Sequence, residues 1–472
     1  MHRDRILCGS LMHSSRRSLA LLVAALTSVR ALACSSDEDT PPDRVASSGS
    51  AGTSSEVGGS GGNGGDDGSP VGGAGSATTG GTAGAATAGG AAGANETGGQ
   101  GGEGGAPSTI DAILAALRAD RDAALLAYSK TDGWPLAVEG GFLFVSTDVA
   151  FSTLTLDGAS QSAMQVEDDF AWVVVSASAG AKYAFSDGAT TVSDAWSRSY
   201  NFDPDIEVSL VAPTLPHLDR HFGVSDAVLA ARTVRVWVPA GAATHVLYAQ
   251  DGQNLFDPTT LFGGWQLQET APATMMVVGI DNTADRNDEY THVQDAPSGD
   301  LVGGLADAYA GFLEDTVRPL IAAQYGEPAR RGLLGSSLGG LLTLYVAHTL
   351  PASYDFAASL SGTVGWGSIA TDVHNQTILE LYAAAEPTGV VLYLDSGGSN
   401  STACSDADGD GIEDDSDNGD DYCENAQLYS ILKGIGYADG VDVHYYFEAG
   451  AQHNEAAWAA RVAQPLAIFD AL

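Results

Sequence analysis

Ser337 has the setting of a catalytic nucleophile. The run Gly335-Ser336-Ser337-Leu338-Gly339 matches G-x-S-x-G, follows the apolar pair Leu333-Leu334 and precedes a helical pattern at 341–350. A strand, a sharp turn and a helix would expose the Ser337 hydroxyl at a helix N-terminus, where developing negative charge is stabilised. The same pattern at 58–62 lies in a Gly-rich stretch without such a context. We predict that Ser337 is a nucleophile; a Gly-rich helix start without chemistry is the alternative.

His453 has the position of a general base for that serine. A serine hydroxyl is a weak nucleophile until a base takes its proton. The run 443–447 has the pattern of a strand, a short loop follows, and His453 then precedes a helical pattern. Among the ten histidines, no other combines a strand end with a place near the C-terminus. We predict that His453 is the base; a surface-loop histidine is the alternative.

The elements that must position these side chains alternate between strand and helix from about residue 212 onward. Strand patterns occur at Val234–Val238, His245–Asp251, Met275–Ile280, Gly332–Gly335, Phe356–Leu360, Val390–Asp395 and Val443–Phe447. Apolar stripes with helical spacing separate them. Such alternation predicts an α/β fold with a mostly parallel sheet covered by helices on both faces.

Residues 108–211 follow a different pattern. A Ser108/Thr109 cap before apolar residues at 110–117 predicts a short amphipathic helix. From 134 to 210, short alternating runs separated by Gly, Asp and Ser predict a small β-sandwich. Its aromatic residues would either pack inside the protein or line a glycan-binding face.

Several motifs then occur in a specific order. They are Asp251-Gly252-Gln253-Asn254-Leu255-Phe256-Asp257, Gly264-Trp265-Gln266-Leu267, Val278–Asn282, Arg286 with Glu289-Tyr290, Gly335–Gly340 and Gly450–Trp458. Together they resemble the "putative esterase" family of α/β-hydrolases, which includes esterase D-like enzymes, enterochelin esterases, feruloyl esterases and mycolyltransferases. The resemblance covers about 212–472. The preceding module is more loosely similar to the immunoglobulin-like domain of the enterochelin-esterase branch.

The resemblance implies specific roles for several residues. The backbone N–H groups of Leu338 and Gln253 would form an oxyanion hole, and Trp265 would be a wall of the substrate pocket. Arg286 and Glu289 would brace a loop rather than touch substrate.

The acid that should orient His453 is ambiguous in this sequence. The acid should follow the strand pattern Val390–Asp395, but residues 401–423 form an acidic insertion without Lys or Arg, which departs from the simple family pattern. Counting back from the next helical pattern, Asp420 or Asp421 falls where the family has its carboxylate. Asp395, at the strand end, is the alternative, and some relatives work with a Ser–His pair and little help from an acid.

The insertion also has the spacing of a calcium loop. Asp406, Asp408, Asp410, Ile412, Asp414 and Asp417 occupy positions 1, 3, 5, 7, 9 and 12, with Gly411 at position 6. Carboxylate oxygens suit Ca²⁺, but the flanking helices of an EF-hand are missing. A structural calcium ion is therefore predicted, with a solvated acidic loop as the alternative; no cofactor is predicted for catalysis.

The N-terminal region predicts export. Residues 1–33 have the basic start and short apolar stretch of a signal peptide, and Cys34 follows in a setting that resembles a bacterial lipobox. We predict acylation of Cys34 and an outer-membrane or cell-surface lipoprotein; plain cleavage would give a periplasmic or extracellular protein. Residues 34–107 are a Gly/Ser-rich linker. In an oxidising compartment, Cys404 and Cys423 would form a disulfide.

The net charge of the chain limits the kinds of molecule that it can bind. The chain has a formal net charge of -40 over 472 residues, which disfavours nucleic acid and anionic membrane surfaces. We therefore predict a serine hydrolase that cleaves small-molecule or glycan-linked carboxylic esters and meets the membrane only through a lipid anchor. The alternatives are an acyltransferase of the same fold and a surface glycan-binding module with a degenerate hydrolase domain.

Overall fold

The structure is a computed structural model that describes residues 109–399, 402–416 and 419–472, with the backbone alone for 160–162. The predicted signal peptide (1–33), Cys34 and the linker (34–107) lie outside the described residues. Asp417 of the predicted calcium loop also lies outside them.

The helices of the described residues mostly follow the apolar stripes in the sequence. They are α1 (Ile110–Ala119), α2 (Arg121–Thr131), α3 (Leu267–Thr270), α4 (Arg286–Glu289), α5 (Ala306–Phe312), α6 (Arg318–Tyr325), α7 (Leu338–Thr349), α8 (Ile378–Ala383), α9 (Tyr422–Ile435), α10 (Glu455–Arg461) and α11 (Ala463–Asp470). A π-helical turn at Leu313–Val317 joins α5 to α6. Within the described ranges, no helix combines the length and apolar character needed to cross a membrane.

The strands include all seven that the sequence pattern predicts. In chain order they are β1 (Leu136–Val138), β2 (Gly141–Ser146), β3 (Thr153–Leu156), β4 (Ala159–Ala163), β5 (Gln165–Val166), β6 (Ala171–Val175), β7 (Lys182–Ser186), β8 (Thr191–Val192), β9 (Ser199–Phe202), β10 (Glu207–Leu210), β11 (His217–Val224), β12 (Arg232–Val238), β13 (His245–Gln250), β14 (Met275–Ile280), β15 (Gln294–Asp295), β16 (Val302–Gly303), β17 (Arg330–Ser336), β18 (Phe356–Leu360), β19 (Val391–Ser396), β20 (Cys404–Ser405), β21 (Asp414–Asp415) and β22 (Val443–Phe447).

The predicted catalytic residues belong to a region that is built on a mostly parallel sheet, the catalytic sheet. Its strand order is β12-β14-β13-β17-β18-β19-β22, and only β12 runs antiparallel to its neighbour β14. All six residues of β13 and all six of β14 are buried. Burial on both faces explains why these strands are continuous apolar runs in the sequence. Because the strands are parallel, the residues that follow β13, β17, β19 and β22 meet at one edge.

Two apolar cores cover the faces of this sheet. One contains α7, whose helix is apolar almost all round and has nine buried residues, together with side chains from α5, α8 and α9. The other contains Trp265 and the C-terminal helices α10 and α11, through Trp458, Leu466 and Phe469. The α/β class predicted from the sequence is therefore present.

The N-terminal strands extend the same sheet. After β12 the order continues β11-β9-β10-β7-β3-β4, and a smaller antiparallel sheet of order β1-β2-β6-β5 packs on it. The core between them contains Phe144, Leu154, Tyr183 and Phe185. This region thus has two packed β-sheets, and one of them runs on into the catalytic sheet. Its likeness to an immunoglobulin domain stays a prediction.

A disulfide fastens the acidic insertion to helix α9. Cys404 and Cys423 are bonded, as predicted, with their Cα atoms 5.4 Å apart. Cys423 is the second residue of α9, and β20 pairs with β21 inside the loop that the bond closes. The disulfide therefore anchors the insertion next to Asp420 and Asp421, which directly precede the helix.

A buried ion pair connects strand β12 to helix α4, and its contribution to stability can be tested. Arg232 in β12 holds Glu289 in α4 through two hydrogen bonds of 2.7 Å, and both side chains are almost fully buried. Glu289→Leu leaves the guanidinium buried without its partner, so we expect a loss of about 3–5 kcal/mol in the free energy of unfolding. The control is the double variant Arg232→Met/Glu289→Leu, which should recover most of this loss in denaturant titrations. Equal stability of the single and double variants would contradict this account.

Candidate active site

Ser337 occupies a strained turn between β17 and α7. Its backbone has φ 55° and ψ −128°, a conformation that side-chain-bearing residues rarely adopt. A Cβ on Gly335 would lie 2.2 Å from the Gly339 carbonyl oxygen, and one on Gly340 would lie 2.5 Å from the Ser359 Oγ. The glycines are thus required by close approach of the chain, and the predicted strand–turn–helix around Ser337 is present.

His453 lies in the loop between β22 and α10 and is held by Asp420. Its Nδ1 is 2.8 Å from the Asp420 Oδ1, and the Trp458 ring packs edge-on against the imidazole at 5.0 Å between centroids. Asp395 and Asp421 make no hydrogen bond with His453 in the described structure. Of the three carboxylates that the sequence leaves open, Asp420 alone has the geometry of an orienting acid.

Asp420 is buried, and its charge is balanced by several donors. Its Oδ2 accepts hydrogen bonds from the Ser361 Oγ at 2.6 Å, the Gly397 N–H at 2.6 Å and the Arg461 Nη2 at 3.0 Å. Burial by itself would raise the pKa of Asp420. The hydrogen bond and charge of His453, with Ser361 and Arg461, outweigh burial and lower that pKa below its ordinary value. The carboxylate is therefore ionised when it holds the imidazole.

The two remaining carboxyls behave differently. Asp395 is fully buried and forms an ion pair with the Arg461 Nε at 3.0 Å. Burial raises the pKa of Asp395 to about 6, against the opposing charge of Arg461. Asp421 directs its Oδ2 to the Thr363 hydroxyl, at 3.2 Å. Arg461 thus lies between the carboxylates of Asp395 and Asp420. Asp395 therefore supports the site through Arg461 and does not bond to His453.

The ring of His453 favours its charged form. Burial would lower the pKa of His453, but the hydrogen bond that the ring donates to Asp420 and the charges of Asp421 and Asp420 raise that pKa above its ordinary value. The guanidinium of Arg286 acts in the opposite direction. An imidazole that accepts a proton from a serine becomes an imidazolium, so this surrounding stabilises the product of that transfer.

The Ser337 hydroxyl contacts Thr363 in this structure. Its Oγ is 3.4 Å from the Thr363 Oγ1, and within the described residues no hydrogen bond joins Ser337 to His453. The two side chains are linked through neighbours: Thr363 bonds to Asp421, and the adjacent Asp420 bonds to His453. The predicted serine and histidine are therefore connected through Thr363 and the neighbouring residues Asp421 and Asp420, without a direct bond between them.

The two N–H groups predicted for the oxyanion hole lack acceptors. Among the hydrogen bonds of the described chain, neither the Leu338 nor the Gln253 backbone N–H donates to another group. Leu338 is the first residue of α7, where an N–H has no partner inside the helix. The role of both groups as donors to an oxyanion stays a prediction.

A polar frame holds the loop that contains Gln253. Asp251, at φ 57°, accepts two hydrogen bonds from Arg286, at 2.8 and 2.9 Å, and one from the Asn282 Nδ2 at 2.6 Å. The Asn282 N–H donates to the Gln253 Oε1 at 3.1 Å. Arg286 therefore braces a loop, as the resemblance implies. Asp251 is the first residue of the Asp251–Asp257 motif, and the sequence alone predicts no role for its carboxylate.

Trp265 lies behind the histidine. Its ring is 6.0 Å from that of Trp458, which in turn packs against His453. Trp265 itself is buried in the core beneath α10. Its role as a wall of the substrate pocket stays a prediction.

Arg461 and Ser361 are the site residues that sequence reasoning missed. The Arg461 Nη2 and the Trp458 Nε1 both donate to the Ser361 Oγ, at 2.5 and 3.0 Å. The one signal in the sequence is an arginine within the apolar stripe of the last helices. Long basic side chains usually reach solvent from such positions, so an arginine there can indicate a buried partner of opposite charge.

Removing the buried guanidinium should destabilise the protein in a pH-dependent manner. Arg461→Met leaves Asp395 and Asp420 buried without their cation, so we expect a loss of about 3–5 kcal/mol in unfolding free energy near neutral pH. Without the guanidinium, the raised pKa of Asp395 would rise further and the lowered pKa of Asp420 would also rise in the folded state. The folded protein would then hold protons that the unfolded chain releases, so stability should fall as pH rises and the deficit should shrink below about pH 5. Denaturant titrations between about pH 4 and 8 test this, because the pKa of an unfolded Asp is about 3.9, and a deficit that does not change with pH would contradict it.

The predicted calcium loop is partly assembled. Carboxylate oxygens of Asp406, Asp408 and Asp410 lie within 4.8 Å of one another, and Ile412 is buried beside them. Asp414 instead accepts the Ala407 N–H at 3.1 Å. A bound calcium ion stays a prediction, as does the ligand role of each residue.

Calcium removal tests that prediction. If the loop binds Ca²⁺, EDTA should lower the melting temperature of the protein and added CaCl₂ should restore it, because a ligand bound only by the folded state stabilises that state. Asp408→Asn should weaken the response, whereas Asp226→Asn, in a different loop, is a control. A melting temperature that changes neither with EDTA nor with added calcium would contradict the prediction.

Comparisons with known proteins agree with this architecture. The "Putative esterase" family model matches residues 225–468. The chain is 28% identical over 134 residues to the uncharacterized protein YbbA of Bacillus subtilis, covering 27% of this chain and 53% of YbbA. It is 38% identical over 68 residues to a siderophore triacetylfusarinine C esterase of Aspergillus fumigatus, covering 14% of this chain and 23% of that enzyme. The matched segments thus span about half of one relative and a quarter of the other.

Solved structures with low sequence identity are also similar. The enterobactin esterase FES of Shigella flexneri, in the presence of 2,3-di-hydroxy-N-benzoyl-serine, matches at 16% identity and a TM-score of 0.41, covering 73% of this chain and 97% of that one. The siderophore hydrolase EstA of Aspergillus nidulans matches at 18% identity and a TM-score of 0.40, covering 53% and 93%. Because the family model covers more than half of the chain, the protein belongs to the putative esterase family of α/β-hydrolases, a family of carboxylic ester hydrolases.

Proposed function

We propose that the protein hydrolyses carboxylic esters through an acyl-enzyme formed on Ser337. The observations that support this proposal are the His453–Asp420 hydrogen bond of 2.8 Å and the strained strand-to-helix turn that contains Ser337. An ionised, buried carboxylate fixes the ring tautomer with Nδ1–H toward Asp420. Nε2 is then the free basic nitrogen.

The first half of the reaction forms the acyl-enzyme. The Ser337 Oγ attacks the ester carbonyl carbon while the His453 Nε2 takes its proton. The carbonyl oxygen becomes an oxyanion that the Leu338 and Gln253 N–H groups would bind; one such donor is typically worth about 100- to 1000-fold in rate. The C–O bond to the alcohol then breaks, and the imidazolium returns its proton to the leaving oxygen.

The second half releases the acid. Water takes the place of the alcohol, His453 removes its proton, and the resulting hydroxide attacks the acyl carbon. A second oxyanion forms in the same place, and the Ser337 oxygen leaves with the proton held by His453. No metal or cofactor is required for these steps.

We further propose a small-molecule ester as substrate. One relative is named as an esterase of a siderophore, triacetylfusarinine C, which makes siderophore esters the first class to test. Glycan-linked esters, export and acylation of Cys34 stay sequence-based predictions. A panel of p-nitrophenyl, feruloyl, acetyl-sugar and siderophore esters would separate the substrate classes.

The catalytic roles have a direct test. A fluorophosphonate should label the wild-type protein, and Ser337→Ala should abolish both labelling and ester hydrolysis. Asp420→Asn should lower kcat by about 10⁴-fold because the ring loses its tautomer and its charge partner. Asp395→Asn is the matched control, since Asp395 does not contact His453, and its effect on kcat should be far smaller.

The pH dependence follows from the raised pKa of His453. The base must be neutral, so kcat/KM should fall on acidification through a pKa above the ordinary value of a histidine.

Two outcomes would overturn the assignment of the catalytic residues. They are labelling that persists in Ser337→Ala, and equal losses of kcat in Asp420→Asn and Asp395→Asn.

A further inference from the structure

Asp420 and Asp421 are neighbours in the chain but serve different side chains. Asp421 has φ 52° and ψ 39°, the left-handed conformation, immediately before α9. Asp420 bonds to His453, whereas Asp421 bonds to Thr363. A second carboxylate is therefore directed toward the nucleophile through a threonine hydroxyl.

The threonine is held firmly in place. The Thr363 N–H donates to the Ser337 carbonyl oxygen at 3.2 Å, and the buried Asn425 Nδ2 donates to both the Gly362 and the Asp421 carbonyl oxygens, at 2.8 and 2.7 Å. Asn425 thus ties the segment before Thr363 to the residue that accepts its hydroxyl. The distances from Thr363 Oγ1 to its two side-chain partners are set by backbone contacts.

The number of protons on the Ser337 and Thr363 hydroxyls determines which group donates in each of their hydrogen bonds. A threonine hydroxyl has one proton, and an ionised carboxylate can only accept. With Asp421 ionised, the Thr363 proton points to Asp421. The Thr363 oxygen can then only accept from Ser337, so the Ser337 proton points to Thr363 and away from His453. Attack requires that proton to turn toward the His453 Nε2.

We propose that Thr363 and Asp421 form a latch that parks the Ser337 hydroxyl away from His453 while the active site is empty. Both are positioning residues, because each acts through Ser337 or His453 and neither is assigned to the reacting atoms. This inference rests on the proposed function of Ser337. The 3.4 Å separation between the Ser337 and Thr363 oxygens indicates a weak restraint, which a bound ester could release.

The charge of Asp421 has a second effect, on the base. Asp421 faces His453, Asp420, Asp415 and Glu424, while His453 also faces Arg286 and Glu455. Burial raises the pKa of Asp421 to about 6, although the charge of His453 opposes that rise. Well above pH 6, Asp421 is ionised, so the latch is closed and the imidazolium is stabilised by the same carboxylate.

Three variants separate these effects. Thr363→Val removes the acceptor but keeps the shape of the side chain. At pH 8.5 we expect fluorophosphonate labelling and kcat to rise about 2- to 10-fold, which is the net worth of one hydrogen bond, with KM little changed. Thr363→Ser restores a hydroxyl and should return both rates toward the wild-type value. Asp421→Asn keeps an acceptor for Thr363, so labelling at pH 8.5 should not rise. The acid limb of kcat/KM should instead move to lower pH because a negative charge near His453 is lost.

The outcomes are distinguishable from a failure of the proposed function. If wild-type protein labels and Ser337→Ala does not, Ser337 is the nucleophile whatever the latch variants do. The latch is overturned if a folded Thr363→Val, checked by circular dichroism and melting temperature, labels no faster than Thr363→Ser. If Thr363→Val does not fold, Thr363→Ala removes the same hydroxyl with a smaller side chain and is held to the same comparison. An unmoved acid limb in Asp421→Asn would overturn the electrostatic part.

Discussion

The active site depends on keeping one buried carboxylate ionised. Asp420 is almost fully enclosed, and a lone carboxylate in such a place would take up a proton. Three donors prevent this by sharing its Oδ2, so that Oδ1 remains an acceptor for His453. If Asp420 were protonated, the ring would lose its fixed tautomer and the stabilisation of its charged form. In the proposed mechanism, the arrangement of Ser361, Gly397 and Arg461 is thus a condition for catalysis, although these groups act on Asp420 and make no hydrogen bond with the serine in the described structure.

This requirement supports the proposal that the acid comes from the insertion, as Asp420, and not from the strand end, as Asp395. Asp395 lies at the end of β19, but it is fully buried and paired with Arg461. That pairing makes Arg461 a shared cation between two carboxylates, with Asp395 on one side and Asp420 on the other. The disulfide between Cys404 and Cys423 closes the acidic loop just before α9, so the residue that reaches His453 is anchored despite its position in an insertion.

The sequence predicts those features that follow from local rules. Parallel strands buried on both faces must be apolar runs, so all seven predicted strands of the catalytic sheet are found. The serine turn was predictable because its glycines meet backbone atoms at close range. β11 escaped prediction because all but one of its five buried side chains are polar or charged. Asp219, for example, accepts hydrogen bonds from Ser199 at 2.6 Å and from Tyr325, more than a hundred residues away, at 2.8 Å. Similarly, the partners of Arg461 are distant in the chain and carry no signal in their spacing.

The choice between Asp420 and Asp421 shows how far a sequence can specify a site. Both carboxylates lie at the start of the same helix, and the left-handed backbone of Asp421 decides which side chain faces the histidine. Positive φ values recur around the site at Asp251, Ser337, Ser361 and Asp421, in residues that have a Cβ. Each costs about 1–2 kcal/mol, so such conformations persist only where surrounding contacts enforce them. Here Arg286 holds Asp251, close glycine packing holds Ser337, Arg461 and Trp458 hold Ser361, and Asn425 holds Asp421. The strain is therefore concentrated where side chains from separate loops must converge. At Asp251 and Ser361 it is sustained by contacts with residues distant in the chain, which no local pattern reveals.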